Sequence, residues 1–171
     1  MLTTVDDSLQ KLYERLFVSA GDFAQARQYA LHLIKKGWHL APCERRGSIY
    51  MQQSAFTTSL VVSYARPFTR SDGWPKFPDE FVQYSEPESL LHTHIMGLRH
   101  QVYAHSDSER YTVKPFRLDA DSLADIVGEP FLRLSKEQCE MVIAMVDGIH
   151  ERLHPRIKQM RIEIADSELK R

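Results

Sequence analysis

Apolar residues recur at the helical period on both sides of a proline-dense segment, and this pattern limits the fold more than any other feature. The 7 glycines and 8 prolines of the chain fall mostly between the periodic stretches. Leu9, Leu12, Tyr13, Leu16 and Phe17 follow the i, i+3, i+4, i+7 spacing that turns one helix face toward a core. Asp22 suits the cap of a second helix reaching about Lys36, with Phe23, Ala26, Ala30, Leu33 and Ile34 on one face. Lys35 and Lys36 complement its C-terminal dipole and Gly37 closes it. A third helix spans roughly Ser48 to Arg66, carries Ile49, Phe56, Leu60 and Tyr64 as core candidates, and stops at Pro67. A fourth opens near Pro87, carries Leu90, Leu91, Ile95, Leu98 and Val102, and ends around His105. Ser135 and Gln138 form a capping box for a last helix reaching about Asp166, in which Pro155 predicts a kink or a break.

Two stretches interrupt this pattern. Residues 67 to 87 hold four prolines and Gly73, an irregular loop long enough to suggest a working role. Residues 111 to 118 alternate like a strand, and DIVGEPFLRL reads as a second extended piece. The expected architecture is therefore mainly α, a single domain over residues 1–171. It is an antiparallel bundle of four to five helices, with a long Pro/Trp-containing loop and a small β-hairpin before the last helix.

Composition narrows the function classes. With 43% hydrophobic and 26% charged residues and a formal net charge of -1, nothing draws the whole molecule to nucleic acid or membrane. Any polyanion site must be a local patch. Cys43 and Cys139 show no pairing pattern and read as small hydrophobes of a reducing compartment. The acidic start MLTTVDDSLQ has no apolar signal region, and no apolar run reaches the ~18 residues of a membrane span. A cytoplasmic location is expected.

The chemistry-bearing residues gather in LRHQVYAHSD, residues 98 to 107. Arg99 is a permanent cation whose forked donors match phosphate oxygens, and His105 titrates near neutrality. Such a pair suffices for RNA cleavage without metal: histidine takes the proton of the ribose 2′-hydroxyl and arginine stabilises charge on phosphorus-bound oxygens. On an ideal helix the two residues point about 120° apart and sit about 9 Å apart along the axis, so they do not share a face. They converge only if the helix unwinds near Ala104, or if two copies meet there with two-fold symmetry.

Arg99, the polar His100 after it and His105 resemble the signature of the HEPN superfamily, an arginine, a polar residue, a short spacer and a histidine. That resemblance implies a compact helical bundle working as a homodimer, and a metal-independent endoribonuclease of toxin–antitoxin or abortive-infection systems, with no cofactor. His105 would be the general base, Arg99 the phosphate ligand and His100 the supporting polar group. Asp107 stands where one toxin subgroup has a tyrosine, which argues against that subgroup. A non-catalytic HEPN-like module binding nucleotide, RNA or a partner protein, such as an antitoxin, is the alternative, followed by a bundle whose Arg/His pair is structural.

Other residues carry weaker signals. SYARPFTRSDGWPKF interleaves Arg66, Arg70 and Lys76 with Tyr64 and Trp74, as single-strand grooves do, and makes the three cations candidate substrate-binding residues with Asp107. The competing reading is a solvated loop pinned by Trp74 and Phe77. His92 and His94 face opposite ways on a helix and cannot share a metal; no metal site is expected. Arg45 and Arg46 read as an exposed connector, and His150 and His154 as part of a solvated helix face.

Overall fold

The computed structural model describes residues 7–40, 49–100, 112–117, 119, 122–128 and 133–169. Among these residues it contains four α-helices, α1 (Asp7–Lys36), α2 (Tyr50–Ala65), α3 (Glu86–Leu98) and α4 (Lys136–Leu169), and two strands, β1 (Thr112–Arg117) and β2 (Leu123–Gly128). The mainly α architecture with a hairpin before the last helix is as the sequence predicts.

The long helix α1 is the centre of the bundle. Phe23, Ala26, Ala30 and Leu33 recur on one face and are all buried. Its C-terminus closes on Gly37, whose φ of 63° only glycine adopts freely. There Trp38 N–H donates to Leu33 O and Gly37 N–H to Ile34 O, a Schellman closure. Helix α2 runs antiparallel to α1, with His32 stacked on Phe56 near one end and Phe23 against Tyr64 further along. Helix α4 is antiparallel to α1 as well, since Arg27 meets Asp147, Ala20 meets His150 and Tyr13 meets Arg161.

Phe23 joins these layers. Its fully buried ring lies 5.5 to 6.4 Å from those of Tyr64, Phe68, Phe77 and His150, so it touches α2, the 67–87 loop and α4 together. Burying such a ring contributes about 2–3 kcal/mol. The loop is thus packed onto the bundle by Phe68 and Phe77, with short 3-10 turns at Arg66–Phe68 and Asp79–Phe81. Ser85 then starts α3 with a capping box completed by Glu88. The hairpin pairs Val113 with Val127 and Phe116 with Ala124, and exposes Val113, Phe116 and Leu123.

Three expectations need correction. The first and second helices are one: Gly21 and Asp22 lie within α1. A helical glycine costs only about 1 kcal/mol, less than the buried stripe on either side returns, and Asp22 turns to Arg66 instead of capping a helix. Phe17 is 53% exposed, because Leu16 and Ser19 hold the buried side of that turn. Helix α4 continues through Pro155 unbroken, with Leu153 and Ile157 buried on either side of it. Its capping box does form, Gln138 N–H donating to Ser135 Oγ and Ser135 N–H to Gln138 Oε1. Helix α3 ends its regular turns at Leu98, Arg99 and His100 continue in a wider π-type turn, and the helix end expected around His105 lies outside the described residues.

Candidate functional site: a cationic cleft at one end of the bundle

Helices α2 and α3 both finish at the end of the bundle where α1 carries Arg15. Arg66 is the residue closing α2 and Arg99 the one closing α3. The chain after Arg66 folds back across α1, and the result is a pair of adjoining cavities. One, of about 400 Å³, has Arg15, Arg66, Arg70, Arg99, Asp22 and Trp74 in its wall. The other, of about 500 Å³, runs along the loop from Arg15 past Arg70 and Trp74 to Lys76. Four guanidiniums face one carboxylate around the first, in a chain whose overall charge is -1. The local patch that a polyanion site would need exists here.

Arg15 is the residue that sequence reasoning passed over. It is 4% exposed and forms no ion pair among the described residues; its Nη2 donates to the carbonyls of Pro67 (2.6 Å) and Thr69 (3.1 Å), with Arg66 O at 3.5 Å. Its guanidinium lies 5.5 Å from the centre of the Trp74 ring, a cation–π contact. The Nε is buried and has no partner among the described residues. Burial pulls its pKa down, opposed by the charge of Asp22, yet guanidinium starts so high that it stays a cation. A signal did exist in the sequence: Arg15 lies on the apolar face beside Leu12, Leu16 and Ser19, where a charge must be accounted for.

Of the cations proposed from sequence, Arg66 pairs with Asp22 (Nη1 to Oδ1, 3.3 Å). Burial raises the Asp22 carboxyl, and the Arg66 hydrogen bond and the Arg66 and Arg15 charges pull it back. Arg70 is exposed and makes no hydrogen bond or ion pair among the described residues. Lys76 lines the larger cavity, but its ammonium is 2.7 Å from Asp79, an exposed pair worth little. The structure therefore brings Arg99, Arg66 and Arg70 together and places Lys76 further along the loop.

Arg99 Nη1 lies 3.3 Å from Nδ1 of the exposed His100. Guanidinium can only donate, so His100 Nδ1 would be the acceptor in this contact. His105 and Asp107 lie outside the described residues, as do Cys43, Arg45 and Arg46. Regular α geometry stops at Leu98, and the angle expected between Arg99 and His105 falls outside the described residues.

Beneath the loop, Tyr64 Oη is 2.9 Å from Tyr84 Oη and 3.0 Å from His92 Nδ1. Burial pushes the Tyr64 hydroxyl far up, that of Tyr84 up to about 12, and the His92 imidazole down. All three are neutral at pH 7, and His92 also meets the edge of Phe68 at 4.7 Å between centroids. The network ties α2, α3 and the loop floor together. Trp74 and Phe77 divide the labour of holding the loop: Phe77 is buried, whereas Trp74 is 37% exposed and lies on the cavity wall.

No family model, curated protein or solved structure matches the chain. Among the described residues, no helix is long and apolar enough to cross a membrane.

Proposed function

We propose that the protein is a metal-independent endoribonuclease of HEPN type, with a toxin or phage-defence role, which holds RNA in the cationic cleft and cleaves it with Arg99 and His105. The observation that carries this reading is the placement of Arg99 in one cavity wall with Arg15, Arg66 and Arg70. A strand entering there meets four guanidiniums, which suits successive phosphates. His105 removes the 2′-hydroxyl proton, the 2′-oxygen attacks phosphorus to form a cyclic phosphate, and the 5′-oxygen leaves as a hydroxyl on gaining a proton. Arg99 balances charge on the non-bridging oxygens, with His100 beside it. A two-fold pairing of copies at the end of α3 would let each complete the other's Arg/His set.

The test is RNA cleavage in the presence of EDTA by wild type, Arg99→Ala and His105→Ala. Cyclic-phosphate ends from wild type and their loss in both variants, with unchanged circular dichroism, are expected. Absence of wild-type cleavage, or cleavage that His105→Ala leaves intact, rejects the catalytic reading. RNA binding without cleavage would favour the non-catalytic module.

A further inference from the structure

We propose that the larger cavity, between Arg15 and Trp74, takes one unpaired nucleotide of single-stranded RNA, with the base against Trp74 and its phosphate toward Arg70; this rests on the cleft being an RNA site.

Three observations converge on that occupant. The first is the state of Arg15, 4% exposed, in the cavity wall, with a buried Nε that no described residue engages and no carboxylate bonded to it among the described residues. Asp22 acts on this desolvated cation through its charge, without a hydrogen bond among the described residues, and an anion entering the cavity adds a direct partner. The second is Trp74, which holds Arg15 over its ring yet stays 37% exposed along the same wall. An indole tethered by a buried cation and open to a cavity is a platform for a flat π-system. The third is the size and chemistry of the space. About 500 Å³ falls in the range of small-ligand sites, and its wall carries Arg70 and Lys76 against one acidic residue, Asp72. Asp72 repels a phosphate but accepts from the N–H of a base.

Strandedness follows from the geometry. A paired base has both faces stacked on its neighbours, so only an unpaired base can lay a face on Trp74. Gly73 makes the approach possible: its φ of 82° turns the chain immediately before Trp74, and nothing lies within 4 Å of where a side chain would begin. Small ligands such as free nucleotides share this chemistry, but the adjoining cavity with Arg66 and Arg99 continues the cationic track and favours a strand.

The experiment measures fluorescence anisotropy of a labelled oligouridine decamer and of a labelled RNA duplex of equal length. The protein is the full chain carrying His105→Ala, which prevents turnover. Trp74→Ala is expected to weaken decamer binding by about 5- to 150-fold, the contribution of one stacked base, while duplex affinity stays the same. Trp74→Phe retains most of the decamer affinity, and Arg70→Gln weakens decamer and duplex together. Equal decamer affinity for Trp74→Ala, or equal losses on both probes in a folded variant, overturns the inference while leaving the cleft an RNA site. Failure of the parent protein to bind either RNA overturns both. A second readout uses Trp38→Phe, which leaves Trp74 the sole indole: the unlabelled decamer should quench its emission, and unchanged emission at saturating decamer counts against stacking.

Discussion

Replacing Arg15 with methionine separates what this residue does for the fold from what it does for a ligand. Methionine keeps an unbranched apolar stem of similar length and removes every donor. The carbonyls of Pro67 and Thr69 then lose charge-assisted bonds of 2.6 and 3.1 Å, each worth about 1.5–3 kcal/mol. Loss of the cation over Trp74 removes about 0.5–2 kcal/mol more. Against this, a buried cation no longer has to be desolvated, which returns several kcal/mol. The net loss is about 2–4 kcal/mol, or roughly 4–16 °C in Tm for a chain of this size. The core around Phe23 does not depend on Arg15, so much of the loss is local to the loop. Trypsin should therefore cut after Arg70 and Lys76 well before the bundle unfolds. Arg15→Lys should fall between, because one ammonium cannot reproduce a planar fork over two carbonyls. Thermal melts with timed proteolysis read both effects. Wild-type Tm together with wild-type cleavage rates in Arg15→Met would refute the claim that Arg15 suspends the loop.

Two further predictions concern the network below the loop. Tyr64→Phe leaves the Tyr84 hydroxyl and His92 Nδ1 without their shared partner and should cost about 1–3 kcal/mol, seen as a lower urea midpoint at constant slope; an unchanged midpoint refutes the network. His92 and His150 both have their pKa lowered by burial, so as pH falls the unfolded chain takes up protons first. Stability should be level above about pH 7 and decline through the unfolded value near 6.5. His92→Gln should flatten that decline, and an equal slope in the variant would show that His92 does not titrate differently on folding.

The bundle was legible because its stripes are written in residues that carry no other information. Ala26, Ala30, Leu91, Ile95 and Leu98 repeat at helical spacing and are buried where that spacing puts them. Local punctuation was less reliable. Gly21–Asp22 has the form of a helix boundary, but tertiary packing of Leu16 and Phe23 carries α1 through it, and Asp22 is used 44 residues away by Arg66. Pro155 likewise sits in a helix held by buried side chains at Leu153 and Ile157. Site residues followed the same division. Arg66, Arg70 and Trp74 stood out because aromatic and basic residues alternate in one loop. Arg15 did not, since its partners are backbone carbonyls 51 to 54 positions away, which no local pattern encodes.

The arginines of the cleft do not all need the same explanation. Arg66 and Arg99 close helices, where the partial negative charge of a C-terminus favours a cation by about 0.3–1 kcal/mol, and Arg66 has Asp22 besides. A bundle that ends two helices side by side would gather these two for stability alone. Arg15 closes no helix of its own but reaches from α1 to the carbonyls after α2, which leaves its buried Nε over, and Arg70 is on an exposed loop without a partner among the described residues. Yet these two line both cavities with Trp74. A purely structural reading must keep a buried cation whose Nε is unanswered, where a neutral side chain reaching the same carbonyls would avoid the desolvation. An anion arriving from solvent removes that objection, which is why Arg15 and Arg70, rather than the helix-closing pair, carry the argument for a ligand.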